Sequence, residues 1–107
     1  MTTTIDLYEI LVPTIMRGKP VRVRHHRQWD QYVRNISGGL TILKPAVGQW
    51  IEPESKVLYK ERMIPVRIAC TRKQIERIIK FTIRHYDQLA VMAYKISTDV
   101  LLIKRDE

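Results

Sequence analysis

The segment from Val57 to Ile96 constrains this chain more than any other, because it reads as an apolar run, a helix and a second apolar run. Cys70 ends the first run, Thr71 starts the helix, and Leu89 opens the last run. Thr71 with Gln74 three positions later is a capping box, in which each side chain satisfies a backbone N–H at the helix start. Ile75, Ile78, Ile79, Ile83 and Tyr86 follow at helical spacing, so one apolar stripe must be buried against a core. Arg72, Lys73, Glu76, Arg77, Lys80 and Arg84 fall on the remaining surface. β-Branched isoleucines are only fair helix formers, so packing has to hold this helix.

A chain of 107 residues has room for one core, and the whole of 1–107 is read as a single domain. A single cysteine, Cys70, excludes an internal disulfide and suits a reducing compartment. Met1-Thr2-Thr3-Thr4-Ile5-Asp6 lacks the basic and apolar regions of a signal peptide, and no apolar run approaches the roughly 20 residues of a membrane span. A cytoplasmic protein without a membrane partner is the expectation. The net charge of +8 favours polyanions, nucleotides or phosphorylated ligands over acidic-site chemistry, the alternative being a merely solvated basic surface.

The residues before Val57 repeat the plan less regularly. Leu7 to Thr14 reads as a first strand that Pro13 should end. Met16 to Arg24 is a loop broken by Gly18 and Pro20, with Val21 to Arg24 alternating as a short extended piece that sets Arg22 and Arg24 on one face. His25 to Ser37 is a first helix on the spacing of Trp29, Tyr32, Val33 and Ile36, which makes Trp29 and Tyr32 core residues. Ser37-Gly38-Gly39 stops it, with Gly38 free to turn left-handed. Leu40 to Leu43 begins a second strand that resumes at Val47 to Ile51 after a bulge near Pro45. Pro53-Glu54-Ser55 turns the chain into a third strand, Val57 to Tyr59 and Met63 to Cys70, in which Pro65 argues for an edge or irregular ladder. Leu89 to Ile96 is the fourth strand, Val100 to Ile103 a short fifth, and Lys104 to Glu107 a frayed end.

The order β-α-β-β-α-β predicts an α+β, ferredoxin-like fold: an antiparallel sheet, two helices on one face and a short C-terminal β extension. Within that class, Gly48 to Ile96 resembles the PII and CutA group. The likeness lies in Gln49-Trp50, the restart at Lys56-Val57, and a Thr-capped helix that ends His85-Tyr86-Asp87 before an apolar strand. The segment around the first helix does not share that pattern. The resemblance implies trimers assembled through their sheets.

The most distinctive candidate site is Arg17, Lys19, Arg22, Arg24 and Arg27 with His25 and His26, uninterrupted by an acid until Asp30. Guanidinium forks take phosphate or carboxylate in two-point contacts, and a helix start adds N–H donors and a favourable dipole. Trp50, flanked by polar residues, is either a stacking platform for a base, reaching a neighbour's site across a trimer cleft, or an interface residue. The leading expectation is a non-catalytic oligomer that senses or sequesters a small anionic, nucleotide-like ligand. The alternatives are nucleic-acid binding along Arg72, Lys73, Arg77, Lys80 and Arg84, and a structural or protein-interaction module.

Catalysis and cofactors find less to rest on. His25 and His26 diverge by about 100° on a helix, and His85 with Asp87 lacks a third ligand nearby in sequence, so no metal or cofactor is expected. His85 reads instead as a partner of the helix dipole. Cys70 is in phase with Ile64, Val66 and Ile68, which makes it a buried small hydrophobe. A phosphodiesterase-like use of His25 or His26 is the one enzymatic alternative, and no nucleophile, base and orienting group can be assembled around it from the sequence.

Overall fold

A computed structural model describes residues 5–105. The readings of Met1 to Thr4 and of Asp106 and Glu107 lie outside the described residues. In chain order the elements are β1 (Asp6–Pro13), β2 (Ile15–Met16), β3 (Lys19–Pro20), α1 (Val23–Ser37), β4 (Thr41–Ile42), β5 (Ala46–Ile51), β6 (Leu58–Cys70), α2 (Arg72–His85) and β7 (Ala93–Ser97). β6 pairs with β1 on one side and with β4 and β5 on the other, while β7 pairs with the far side of β1. Every pairing is antiparallel. Counting β4 and β5 as one interrupted strand gives the βαββαβ ferredoxin-like order, with β2 and β3 as a separate small hairpin.

The pleat decides which side chains meet the helices. Tyr8, Ile10 and Val12 of β1 pair with Ile68, Val66 and Ile64 of β6 on one face. That face packs on Trp29 and Val33 of α1, Ile75 and Ile78 of α2, and Tyr86. Cys70 is fully buried there, and burial pushes its thiol up to about 11, so it is an inert apolar filler at neutral pH. The Trp29 indole donates to the Thr82 hydroxyl at 2.8 Å, and that hydroxyl donates to the Ile78 carbonyl at 2.6 Å. Tyr32 is only partly buried; it stacks on Phe81 across the helix pair, ring centroids 3.7 Å apart.

The capping chemistry forms as expected. Gln74 N–H donates to Thr71 Oγ1 and Thr71 N–H to Gln74 Oε1. The Gln74 amide also donates to the Ile36 carbonyl at 2.8 Å, tying the start of α2 to the end of α1. Gly38 closes α1 at φ 89°, its N–H donating to the Arg34 carbonyl.

Three expectations are corrected and one is narrowed. Pro65 lies in the interior of a strand paired on both sides, so of the two placements expected for it the irregular ladder is the one observed. Its carbonyl accepts from Leu43 N–H at 2.9 Å, and a residue's N and C=O point the same way from a strand. The missing donor therefore faces Leu43, where β4 ends, and pairing resumes two residues later in β5 once Lys44 and Pro45 bulge out. α1 begins at Val23, so Arg24 sits on the helix and does not share an extended face with Arg22. β7 begins only at Ala93, with Leu89 fully exposed. Val100 to Ile103 form no strand: Leu101, Leu102 and Ile103 stand in solvent, and neither sheet edge receives them.

The first half of β6 and all of β5 run past the helices as an arm, within a molecule 55 Å long and 22 Å thick. Glu52 closes its tip by accepting from the N–H groups of Glu54 and Ser55, which holds its carboxyl below the usual range. On one face of the arm Trp50 stacks on its cross-strand partner Tyr59 at 4.9 Å. Val47, Ile51 and Leu58 are exposed on the other.

Candidate anion-binding site

Arg17 and Gly18 occupy the two central positions of the β2–β3 turn with φ 53° and 75°. Positive φ at both defines a type I′ hairpin, a turn that asparagine and glycine enter easily and arginine does not. The Arg17 side chain leaves this turn to pair with Asp87 at 2.8 Å, both groups being mostly exposed. The hairpin is thereby set over the junction between the start of α1 and the end of α2.

Under it lies a cavity of about 450 Å³ lined by Met16, Arg17, Lys19, Pro20, Val21, Arg22 and His25. That is a volume typical of small-ligand sites. Four of the residues expected from sequence, Arg17, Lys19, Arg22 and His25, are brought together here. Arg22 is the N-cap of α1, no side chain caps that helix, and its first turn holds no acid, so the positive end of the dipole is left uncompensated beside the cavity. Arg24 and Arg27 are exposed on the outer side of α1, while His26 turns inward and Trp50 lies on the arm; none of these four lines the cavity.

His25, which lines the cavity, meets His85 at the end of α2. Their rings stack in parallel, centroids 3.7 Å and planes 10° apart. The Nε2–H of each donates to the other's backbone carbonyl. His85 lies in the last turn of α2, as expected of a dipole partner, and is also one half of a reciprocal clamp with His25 of α1. Beside it, His26 Nδ1 and the buried Tyr86 hydroxyl share a hydrogen bond of 2.7 Å. Burial holds His26 below its ordinary range, an effect opposed by Asp30 and reinforced by His25 and His85. Burial also lowers His85, with the His25 carbonyl opposing. Burial, and then Asp30, raises the Tyr86 hydroxyl far above the usual phenol range. Among the described residues no group of three or more His, Cys, Asp and Glu is placed to hold a metal ion.

On the open face of the sheet, Glu9, largely buried, accepts from Arg67 at 3.1 Å and from the Tyr94 hydroxyl. This polar row across β6, β1 and β7 was not singled out in the sequence. Its signal was available as an acid in an otherwise apolar strand.

The βαββαβ sheet with its long arm is the CutA-like form of the ferredoxin-like fold. CutA from Xylella fastidiosa superposes with a TM-score of 0.67 at 12% identity, covering 94% of this chain and 88% of that one. The divalent cation tolerance protein CutA1 of Thermus thermophilus gives 0.63 at 8%, covering 96% and 87%. A phage S-adenosylmethionine lyase, in complex with S-methyl-5′-thioadenosine, gives 0.65 at 14%, covering 91% and 92%. At these identities the likeness is one of fold. No protein-family model and no curated protein matches the sequence. Among the described residues no helix is long and apolar enough to cross a membrane.

Proposed function

We propose that this chain is the subunit of an oligomeric, non-catalytic protein that binds a small anion of nucleotide-like size in the cavity beneath the β2–β3 hairpin. The observation that carries the reading is the convergence of Arg17, Lys19, Arg22 and His25 on one cavity at an uncapped helix start. Guanidinium and ammonium groups supply the charge, Met16, Pro20 and Val21 an apolar wall for a base or sugar, and the helix its dipole. The lyase complex with a thioadenosine supports the idea that this fold accommodates a nucleoside-sized ligand. The cation tolerance in the names of the CutA proteins finds no matching donor set among the described residues, so the ligand proposed is the anion.

Assembly is proposed to use the open sheet face and the arm, where Trp50, Tyr59, Tyr94 and Ile96 are exposed. A neighbour's Trp50–Tyr59 pair would then be available as a stacking surface near the cavity. Calorimetry with ATP, ADP, AMP and inorganic phosphate at modest salt tests the reading. Saturable binding abolished by Lys19→Glu with Arg22→Glu is expected; no heat from any of the four ligands with the intact oligomer would defeat it.

A further inference from the structure

The helix layer concentrates the charge of the molecule. α1 and α2 together carry eight Lys and Arg against two acids, six of the eight net positive charges of the chain. On α1, Arg24, Arg27 and Arg34 recur at helical spacing on the solvent side. On α2, Lys73, Arg77, Lys80 and Arg84 do the same. None of these seven enters an ion pair among the described residues; Arg72 alone on this layer is paired, with Glu76. The helices are antiparallel neighbours, since Gln74 meets Ile36 at one end and His85 meets His25 at the other. Two rows of cations therefore run side by side roughly 10 Å apart, with a charge about every 5 Å along α2 and a wider gap of about 10 Å between Arg27 and Arg34 on α1.

From this we infer that the helix layer is a docking face for the phosphate backbone of double-stranded nucleic acid. Charge complementarity supplies the affinity, and the composition of the face selects among polyanions. Among the exposed large apolar side chains only Val23 belongs to a helix, so a bilayer would find nothing to insert. The aromatics of this layer, Tyr32 and Phe81, are stacked on each other between the helices and offer no platform to unpaired bases. Arginine and lysine rows without an exposed stacking platform engage the phosphate backbone, and such contacts carry no sequence information of their own. Apart from Val23, Ile15 in the hairpin, and Leu89 and Met92 after α2, the exposed large apolar residues lie on the arm, the sheet and the C-terminal segment, so self-association through those three surfaces leaves this layer outermost.

The test is fluorescence anisotropy of the full chain, in its native oligomeric state, with mixed-sequence duplexes of DNA and of RNA. If about four phosphates are engaged, affinity falls roughly 10²-fold between about 50 and 200 mM salt. Arg77→Ala with Lys80→Ala should weaken binding at least about tenfold and flatten the salt slope by about two, while leaving calorimetric small-anion binding unchanged. Lys56→Ala with Lys60→Ala, on the arm, should shift duplex affinity less than about twofold. Binding of both duplexes assigns the face to the shared backbone, and binding of one alone to that helical form. The inference is overturned by no duplex binding at low salt, by an unchanged affinity in the Arg77/Lys80 double variant, by tighter binding to single strands, or by equal binding to vesicles of phosphatidylserine and phosphatidylcholine.

Discussion

β6 passes through two environments, and its two halves behave as different strands. From Ile64 to Cys70 it alternates between a helix-covered face and an open one, and Val66, Ile68 and Cys70 are buried. From Leu58 to Arg62 it has the same β-rich composition and a fully paired partner in β5, yet every residue is exposed. Both halves have a paired neighbour on the β4–β5 side, while β1 flanks only Met63 to Cys70. What separates them is a layer to pack against, because a two-stranded ribbon alone cannot bury either face. The arm therefore depends on cross-strand contacts such as Trp50 on Tyr59, and its apolar surface stays exposed.

Comparing the two tryptophans probes this division most strongly. Trp29→Ala empties a fully buried site and removes the indole donor from the Thr82 hydroxyl, so urea denaturation should show a loss of about 3–5 kcal/mol. Trp50→Ala should leave the helix-backed core folded by circular dichroism and show its effect in sedimentation, as a weakened oligomer. Equal losses of subunit stability at the two sites would erase the distinction between core and arm. Next in size is Arg67→Met, which leaves Glu9 with only the Tyr94 hydroxyl; because Arg67 is half-exposed the cost is about 1–2 kcal/mol by the same assay. Thr71→Ala removes the cap at the junction of β6 and α2 and should cost about 1 kcal/mol, with no change in oligomeric state.

The smallest effect is on pH. His26 and His85 are both held below the ordinary histidine range in the folded chain. As pH falls through about 6.5 the unfolded chain takes up protons first, so stability declines with acidification and recovers above that range. Thermal melts from pH 7.5 down to pH 5 (approximate limits) should show this slope, and His85→Gln should flatten it. A slope unaltered by that substitution would mean that the stacked pair is not its source.

The fold was legible because its signals were redundant. The capping box at Thr71 marks the start of α2, the isoleucine stripe its buried face, and Gly38 the end of α1, and each rests on local chemistry. The cavity was half legible: consecutive basic residues marked Arg17, Lys19, Arg22 and His25, but a run of charges carries no direction. The start of α1 at Val23 turned Arg24 and Arg27 away, and no local pattern could place that boundary two residues earlier. The His25–His85 stack joins residues sixty apart in sequence, so only the tertiary fold could reveal it. Leu101 to Ile103 misled because strand propensity describes a willingness to pair, and among the described residues neither sheet edge pairs with them.

Pro65, opposite the end of β4, also fixes how the longest strand is threaded. Sliding β6 by two residues would keep every apolar side chain on its own face, so hydrophobicity alone barely penalises that error. It would, however, move the donor-less nitrogen from the break after Leu43 to a position opposite the β5 ladder or the Thr41–Ile42 pair. A ring that cannot donate, placed where the ladder is already interrupted, favours a single alignment.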